Sequence, residues 1–352
     1  TLIGPGGSGK TRLAIEAAQV ADSDFADGAV FVPLAPLRDA ALVIPAITEA
    51  LSLPDQGDRP PLARLQDALR NREMLLVLDN FEHVTEAAVD VAALLEAASR
   101  LTVLTTSRAR LRMVGEYSYP VPLLALTEAG HLPPLDALAQ VDAVALFLAR
   151  MQARLPDFQL TEANARDVAA ICARLDGLPL AIELAAARAP LLSPRMLLAR
   201  LDHRLSLLTG GPHDLPERQR TLRATIDWSY RLLDLSEQVL FERLAVFAGG
   251  WSLEAAEAVA GAVGPLAMSA LDGLQALLDK HLIQRASEAG GEPRFTMLET
   301  IREYALERLG ERGEAGVTQQ AHTRYYLALA ETAASEIHGP EQLAWFDRLD
   351  ED

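Results

Sequence analysis

Near its start the chain reads Gly4-Pro5-Gly6-Gly7-Ser8-Gly9-Lys10-Thr11, and few folds can surround such a stretch. It satisfies G-x-x-x-x-G-K-[ST], the spacing of a phosphate-binding loop, which carries meaning only between a strand and a helix. Both flanks comply: Thr1-Leu2-Ile3 is apolar or β-branched, and Leu13, Ala14, Ile15, Ala17 and Ala18 continue as an amphipathic run. Side chains at most of the glycine positions would block the approach of backbone N–H groups to phosphate oxygens, and glycine also admits positive φ. Those N–H groups and the positive end of the following helix favour an anion. Lys10 then offers an ammonium to the β- and γ-phosphates, and the Thr11 hydroxyl offers a ligand to Mg²⁺. Of 32 lysines and arginines only Lys10 and Lys280 are lysines. A chain that otherwise uses arginine keeps a compact point charge where a phosphate cradle needs one.

Downstream, Ala29-Val30-Phe31-Val32-Pro33-Leu34 reads as a buried strand, followed by helices at 39–51 and 61–69. Met74-Leu75-Leu76-Val77-Leu78-Asp79-Asn80 is an apolar run ending in an acid. This is a Walker B pattern, in which a buried parallel strand delivers a carboxylate at the end where α/β sheets bind ligands. Asp79 is the candidate to hold Mg²⁺ through water, with helix capping the plainer alternative. Many hydrolysing P-loop enzymes carry a second acid next, to orient water. Here the position is Asn80, a poor base. Glu82 can substitute for it, or serve only as an acid in the first turn of a helix. A helix is expected at 84–98. Leu101-Thr102-Val103-Leu104-Thr105-Thr106 then forms another buried strand, ending at Ser107-Arg108. Arg108, at the end of a strand beside Walker B, can sense a γ-phosphate, or it can be a surface arginine opening a loop. Arg110 and Arg112 read as surface charges, 119–126 as a further strand, and Gly130-His131-Leu132-Pro133-Pro134 as a domain boundary.

From Leu135 the pattern turns helical, with helices at 142–153, 162–175, 178–187 and 194–201. Gly177-Leu178-Pro179-Leu180 is a helix–helix joint in which glycine ends one helix and proline opens the next. After a linker at 209–212, helices are expected at 218–233, 236–245, 252–260 and 267–279, with serine starts at 236 and 252. Strands at 282–285 and 294–297 around a Gly-rich loop at 288–292 form a hairpin, and a helix at 299–309 follows. Helices with a two-stranded wing suggest a winged helix. Two further helices are expected from 319.

At 352 residues, half of them hydrophobic and only 5% aromatic, the chain has core for two or three domains and favours packed helices. Its net charge of −17 argues against a general nucleic-acid or anionic-membrane surface. No apolar run reaches the ~18 residues of a membrane span. A single cysteine, Cys172, excludes an intramolecular disulfide and a Cys-cluster metal site and fits a reducing, cytoplasmic setting. Cys172 itself reads as a small buried residue on a helix. The chain opens almost on the phosphate loop and ends in the acidic run at 347–352, as a piece of a longer protein would. A guanine-reading [NT]-K-x-D is not met at Lys280-His281-Leu282, so adenine is expected.

Taken together, these residues resemble the STAND class of P-loop NTPases. The class includes NB-ARC proteins and the bacterial ATPase modules of LuxR-type and SARP-type transcriptional regulators. The carriers are the loop at 4–11, Leu75 to Asn80 with Phe81-Glu82-His83, Thr105-Thr106-Ser107-Arg108, Gly177-Leu178-Pro179-Leu180, and Phe295-Thr296-Met297-Leu298-Glu299-Thr300-Ile301-Arg302-Glu303-Tyr304. The resemblance implies an α/β P-loop NTPase domain, a parallel sheet flanked by helices, at 1–134. A helical ARC-like domain follows at 135–213, a winged-helix domain at 214–312, and the start of an all-α, TPR-like sensor segment at 313–352. It implies ATP and ADP held by Gly4, Pro5, Gly6, Gly7, Ser8, Gly9, Lys10, Thr11 and Arg12, with Pro179 against adenine. It assigns Mg²⁺ to Thr11 and Asp79, and slow ATP hydrolysis to Lys10, Asp79 and Arg108, with Glu82 added from its position near Asn80 alone. Two positions depart from the class: Asn80, and Leu298 where the Met-His-Asp histidine stands. The implied mechanism is a switch, closed with ADP and self-associating with ATP, that answers an unknown signal. It would reach DNA only through an output domain outside the chain and would have no membrane contact. The alternative is a nucleotide-bound scaffold without turnover.

Overall fold

A computed structural model describes residues 1–54, 59–128, 131–201, 204–208, 220–264, 266–286, 293–336, 342 and 345. The expected linker at 209–212, the loop at 288–292, Gly130 and the acidic run at 347–352 lie outside the described residues. The chain divides into two compact units, Thr1–Pro122 and Leu123–Asp352. The finer borders at 134, 213 and 312 are taken up below as part of the proposal.

The first unit is a parallel sheet flanked by helices. Its strands are β1 (Leu2–Ile3), β2 (Ala29–Pro33), β3 (Met74–Asp79), β4 (Leu101–Ser107) and β5 (Tyr119–Pro120), in the order β2-β3-β4-β1-β5 with every pair parallel. All six residues of β3 are buried, which is why that strand reads as an unbroken apolar run. Its side chains alternate between two cores. Leu75 and Val77 meet Leu2, Ala14 and Ala18, the last two on the helix Lys10–Ala21. Met74, Leu76 and Leu78 join Ile47, Leu65, Val91 and Leu94, from the helices Val43–Ala50, Pro61–Leu69 and Ala88–Ala97. Because β4 lies between β1 and β3, the loop after β1, Asp79 at the end of β3 and Arg108 after β4 emerge at one edge of the sheet.

The expected strand at 119–126 is only two residues long. Pro120 and Pro122 lack N–H donors and cannot extend the ladder. The helix expected at 39–51 starts with a 3-10 turn, Ala40–Leu42, before Val43–Ala50, and Asp39 caps it by accepting from Ala41 N at 2.9 Å. The helix expected at 84–98 likewise opens with a turn, Thr85–Ala87.

The second unit is mostly helical. The helices Asp142–Gln152, Glu162–Arg174, Pro179–Ala186 and Leu222–Tyr230 bury one continuous core with those of the winged region. That region comprises Leu235–Leu244, Leu253–Ala262, Ala270–Asp279 and Glu299–Arg312. The helix expected to start on Ser236 begins one residue earlier, capped by Asp234: its carboxylate accepts from Ser236 N and Glu237 N, and Glu237 accepts from Asp234 N. The cap at Ser252 forms as expected. The wing has three strands rather than two. β6 (Gly250–Ser252), β7 (Gln284–Arg285) and β8 (Arg294–Thr296) form an antiparallel sheet in the order β6-β8-β7. β6 escapes the sequence because three residues set no period; its anchor is the fully buried Trp251. The first of the two helices expected from 319 is Ala315–Glu336, and the described residues 342 and 345 beyond it are also helical. Among the described residues no helix is long and apolar enough to cross a membrane.

Candidate nucleotide site

The loop at 4–11 joins β1 to the helix Lys10–Ala21, as strand, loop and helix demand. Gly7 and Gly9 take φ of 83° and 90°, in the left-handed region where a side chain is strained. The helix therefore starts abruptly at Lys10, and its first-turn N–H groups have no intrahelical acceptor. Ser8 is buried and its Oγ has no hydrogen-bond partner among the described residues. Lys10 Nζ donates to the carbonyls of Gly4 and Pro5, both at 2.9 Å. Burial pushes the Lys10 ammonium down to about 8; the carboxylates of Glu82 and Asp79 work against that shift, and Arg108 adds to it. Arg12 is exposed on the helix.

Asp79 is the meeting point. Its Oδ1 accepts from the Thr11 hydroxyl at 2.7 Å and from the Thr106 hydroxyl at 2.6 Å. Thr106 Oγ1 in turn accepts from Asn80 N at 2.9 Å. Asn80 sits in the left-handed region at φ 72°, buried, and its Nδ2 has no hydrogen-bond partner among the described residues. The next residues form the 3-10 turn Phe81–His83. Glu82 is not a solvated first-turn acid. Its side chain is 4% exposed and pairs with Arg108, itself 7% exposed, at 3.1 Å from Oε1 to Nε. Arg108 is accordingly no surface arginine, whereas Arg110 and Arg112 are exposed as expected.

A nucleoside phosphate with Mg²⁺ would meet a fitting set of donors here. Left-handed glycines open the loop, and a buried hydroxyl and a buried amide lack acceptors. An ammonium sits at the helix start, and a hydroxyl and a carboxylate converge as hard oxygen ligands. Among the described residues no group of three or more His, Cys, Asp or Glu could hold a metal, and Thr11 and Asp79 meet beside the loop.

Pro179 belongs to the second unit and opens the helix Pro179–Ala186. Before it, Gly177 is at φ 64°, and a Cβ there would stand 2.4 Å from Leu124 O. Leu298, where the class carries histidine, packs its apolar side chain against the core and precedes the helix Glu299–Arg312. Cys172 is buried, and burial pushes its thiol up to about 12, which leaves it inert.

Two participants carry no role in the sequence reading. Thr106 orients Asp79, though its place within Thr105-Thr106-Ser107-Arg108 hinted at it. His83 Nε2 lies 3.1 Å from Leu34 O and 3.0 Å from Leu37 O, so that nitrogen carries the proton, and the ring ties the turn after Walker B to the loop after β2.

An AAA domain model matches residues 1–119, and a winged helix-turn-helix domain model matches residues 233–310. Over 94% of this chain, the "Putative HTH-type transcriptional regulator Rv0890c" of Mycobacterium tuberculosis is 45% identical; the match covers 36% of that protein, so this chain spans about a third of its length. The "Uncharacterized protein Rv0894" of M. tuberculosis is 38% identical over 90% of this chain and 77% of its own length. The "Regulatory protein AfsR" of Streptomyces coelicolor is 30% identical over 94% of this chain and 32% of its own length. The winged helix-turn-helix match puts a fold of the DNA-binding type inside the chain. The expectation that DNA is met only through a domain elsewhere stands in tension with it.

Proposed function

This chain belongs to the family of the mycobacterial protein Rv0894, and from that premise we propose that it is the ATP- and ADP-binding module of a bacterial regulator, a switch of the STAND class. The observation that carries the reading is the convergence of Thr11 and Thr106 on one oxygen of Asp79, beside the loop that holds Lys10. The names of Rv0890c and AfsR support placing such a module in transcriptional control.

In this reading Gly4 to Thr11 wrap the phosphates with backbone N–H groups, Arg12 lies beside them, and Lys10 neutralises the β- and γ-phosphates. Thr11 and Asp79 hold Mg²⁺, which when bound neutralises phosphate charge. Arg108 distinguishes a γ-phosphate, and Glu82 serves water in place of the missing acid at Asn80, so hydrolysis is slow. Pro179 is assigned to adenine on the resemblance alone. The domains run 1–134, 135–213, 214–312 and 313–352, and self-association follows ATP. The two nucleotides must differ in their affinity for the two states: moving a population from 1:99 to 99:1 takes about 5.5 kcal/mol.

We assign the winged helix the part of an internal lever, with DNA contact left to an output domain. The helix in the recognition position, Ala270–Asp279, carries two aspartates and no basic residue, and it exposes Leu271, Asp272 and Gln275. A phosphate backbone requires the opposite charge.

The test is the nucleotide carried by the purified chain, released by denaturation and resolved by anion exchange, beside Lys10→Ala. Near-stoichiometric ADP in the wild type alone is the expected result. No nucleotide in either, together with no binding on titration with Mg²⁺·ATP, rejects the reading. A second reading, a scaffold that binds nucleotide without turnover, is favoured by Asn80. ATP turnover that is lost in Lys10→Ala would reject it.

A further inference from the structure

At the edge of the sheet beside the phosphate loop, two cations and two anions gather. Lys10 feels Glu82, Arg108 and Asp79, and the four formal charges cancel. Glu82 and Arg108 are locked together at 3.1 Å with side chains 4% and 7% exposed. The pair bridges adjacent strands: Glu82 lies in the turn after β3, Arg108 directly after β4, and Leu78 stands opposite Thr105 in the parallel register. Separating a buried ion pair is costly unless each released charge meets another partner. A phosphate oxygen is such a partner for a guanidinium.

We propose that Glu82 masks Arg108, so that the pair is a latch opened by a γ-phosphate. The proposal rests on the reading of Arg108 as the residue that tells ATP from ADP, and it deepens that reading in two ways. While paired, Arg108 is held from the phosphates and Glu82 is held from water. A triphosphate that draws Arg108 away leaves the Glu82 carboxylate without its cation, and in that state Glu82 becomes a base. It takes a proton from the water whose oxygen forms the new bond to the γ-phosphorus. The bond from that phosphorus to the β–γ bridging oxygen breaks, and its electron pair leaves with ADP. Asn80, at the position that usually supplies the acid, offers only an amide, and its buried Nδ2 meets no acceptor among the described residues. The γ-phosphate thus unmasks the group that removes it, and diphosphate leaves the latch shut.

The experiment measures the dissociation constants of ATP and ADP on the full chain for wild type, Glu82→Gln, Glu82→Asp and Arg108→Gln, each with its thermal midpoint. Glu82→Gln removes the negative charge that faces Arg108, so the preference for ATP over ADP should rise about tenfold or more while turnover is lost. Glu82→Asp shortens the acid by one methylene and should fall between the wild type and Glu82→Gln, with turnover retained. Arg108→Gln should bring the preference close to one. A pair that serves structure alone would lower the midpoint in all variants and leave the ratio of the two constants unmoved, and that result overturns the latch. If Glu82→Gln does not fold, Glu82→Asp decides on the same criterion. A wild type that binds neither nucleotide overturns the proposed function and the latch together. Lys10-dependent binding with an unmoved ratio overturns the latch alone.

Discussion

A lysine that must hold phosphate charge is here buried enough to be pushed down to about 8 from an ordinary value of 10.5. Phosphates favour its charged form, so binding is insensitive to pH while Lys10 is protonated beforehand. Above pH 8 the free protein loses that proton and must regain it on binding. Affinity for ADP should therefore fall by up to about tenfold per pH unit above pH 8. A titration of ADP affinity from pH 6.5 to 9.5 checks this; a flat curve would mean that Lys10 keeps an ordinary lysine value. Thr106 is the second residue to test. Its hydroxyl holds Asp79 and takes the Asn80 N–H, so Thr106→Val leaves a buried carboxylate short of a donor and an N–H without an acceptor. The loss should be about 1–3 kcal/mol, read as a weaker Mg²⁺ dependence of ATP binding, with Thr106→Ser close to wild type. Lys10, Thr11 and Asp79 were legible because the loop and the Walker B run are local patterns. Thr106 was not, because its role appears only once β4 lies beside β3.

Among the elements, the joint at 176–180 places two successive residues in the left-handed region. Asp176 and Gly177 are both left-handed, at φ 57° and 64°. Asp176 Oδ2 also accepts from Thr300 N at 3.2 Å and Thr300 Oγ1 at 3.1 Å, capping the helix Glu299–Arg312 from a distant part of the chain. Leu298 offers that helix no cap of its own. Asp176→Ala should cost about 0.5–2 kcal/mol, the usual range for a lost cap, and raise amide exchange in the first turn of that helix. Gly177→Ala should cost more, since the added methyl meets a carbonyl as well as an unfavourable φ. A melting temperature equal to wild type would show that the joint relaxes freely. Farther along, Tyr304 donates to Asp227 and Tyr230 to Glu242, tying the helix Leu222–Tyr230 to the winged region. The helices themselves could be read from their period and caps, apart from end shifts that reach three or four residues, as at 84–98, where the α-helix is Ala88–Ala97, and at 267–279, where it begins at Ala270. The strand β6 could not, since three residues gain their conformation only by pairing with β8.

Across the whole chain, net charge is the property that bears on a nucleic-acid partner. The chain carries a net charge of −17 and the helix Ala270–Asp279 is acidic, while a winged helix-turn-helix domain lies within residues 233–310; in the proposed lever role that charge opposes a duplex. Fluorescence anisotropy with a labelled random duplex at about 50 mM salt should show no binding, because phosphate contacts dominate non-specific affinity there. Binding with a steep salt slope would return the winged helix to the role of a DNA reader. Relatives such as Rv0890c and AfsR extend well beyond the segment matched here, leaving room for an output domain in proteins of that kind.

The sequence by itself determined what depends on near neighbours. These are the glycine pattern that frees N–H groups for phosphate, the apolar runs of the central strands, and the caps and periods of the helices. Tertiary structure decided every pairing across distance: Glu82 with Arg108, 26 residues apart, Thr11 with Asp79, 68 apart, and Asp176 with Thr300, 124 apart. The reason is register. Local spacing sets which face of a strand or helix a residue takes. Only the strand order β2-β3-β4-β1-β5 and the alignment of Leu78 with Thr105 bring the ends of those strands together, so that an acid meets its hydroxyl and an arginine meets its mask.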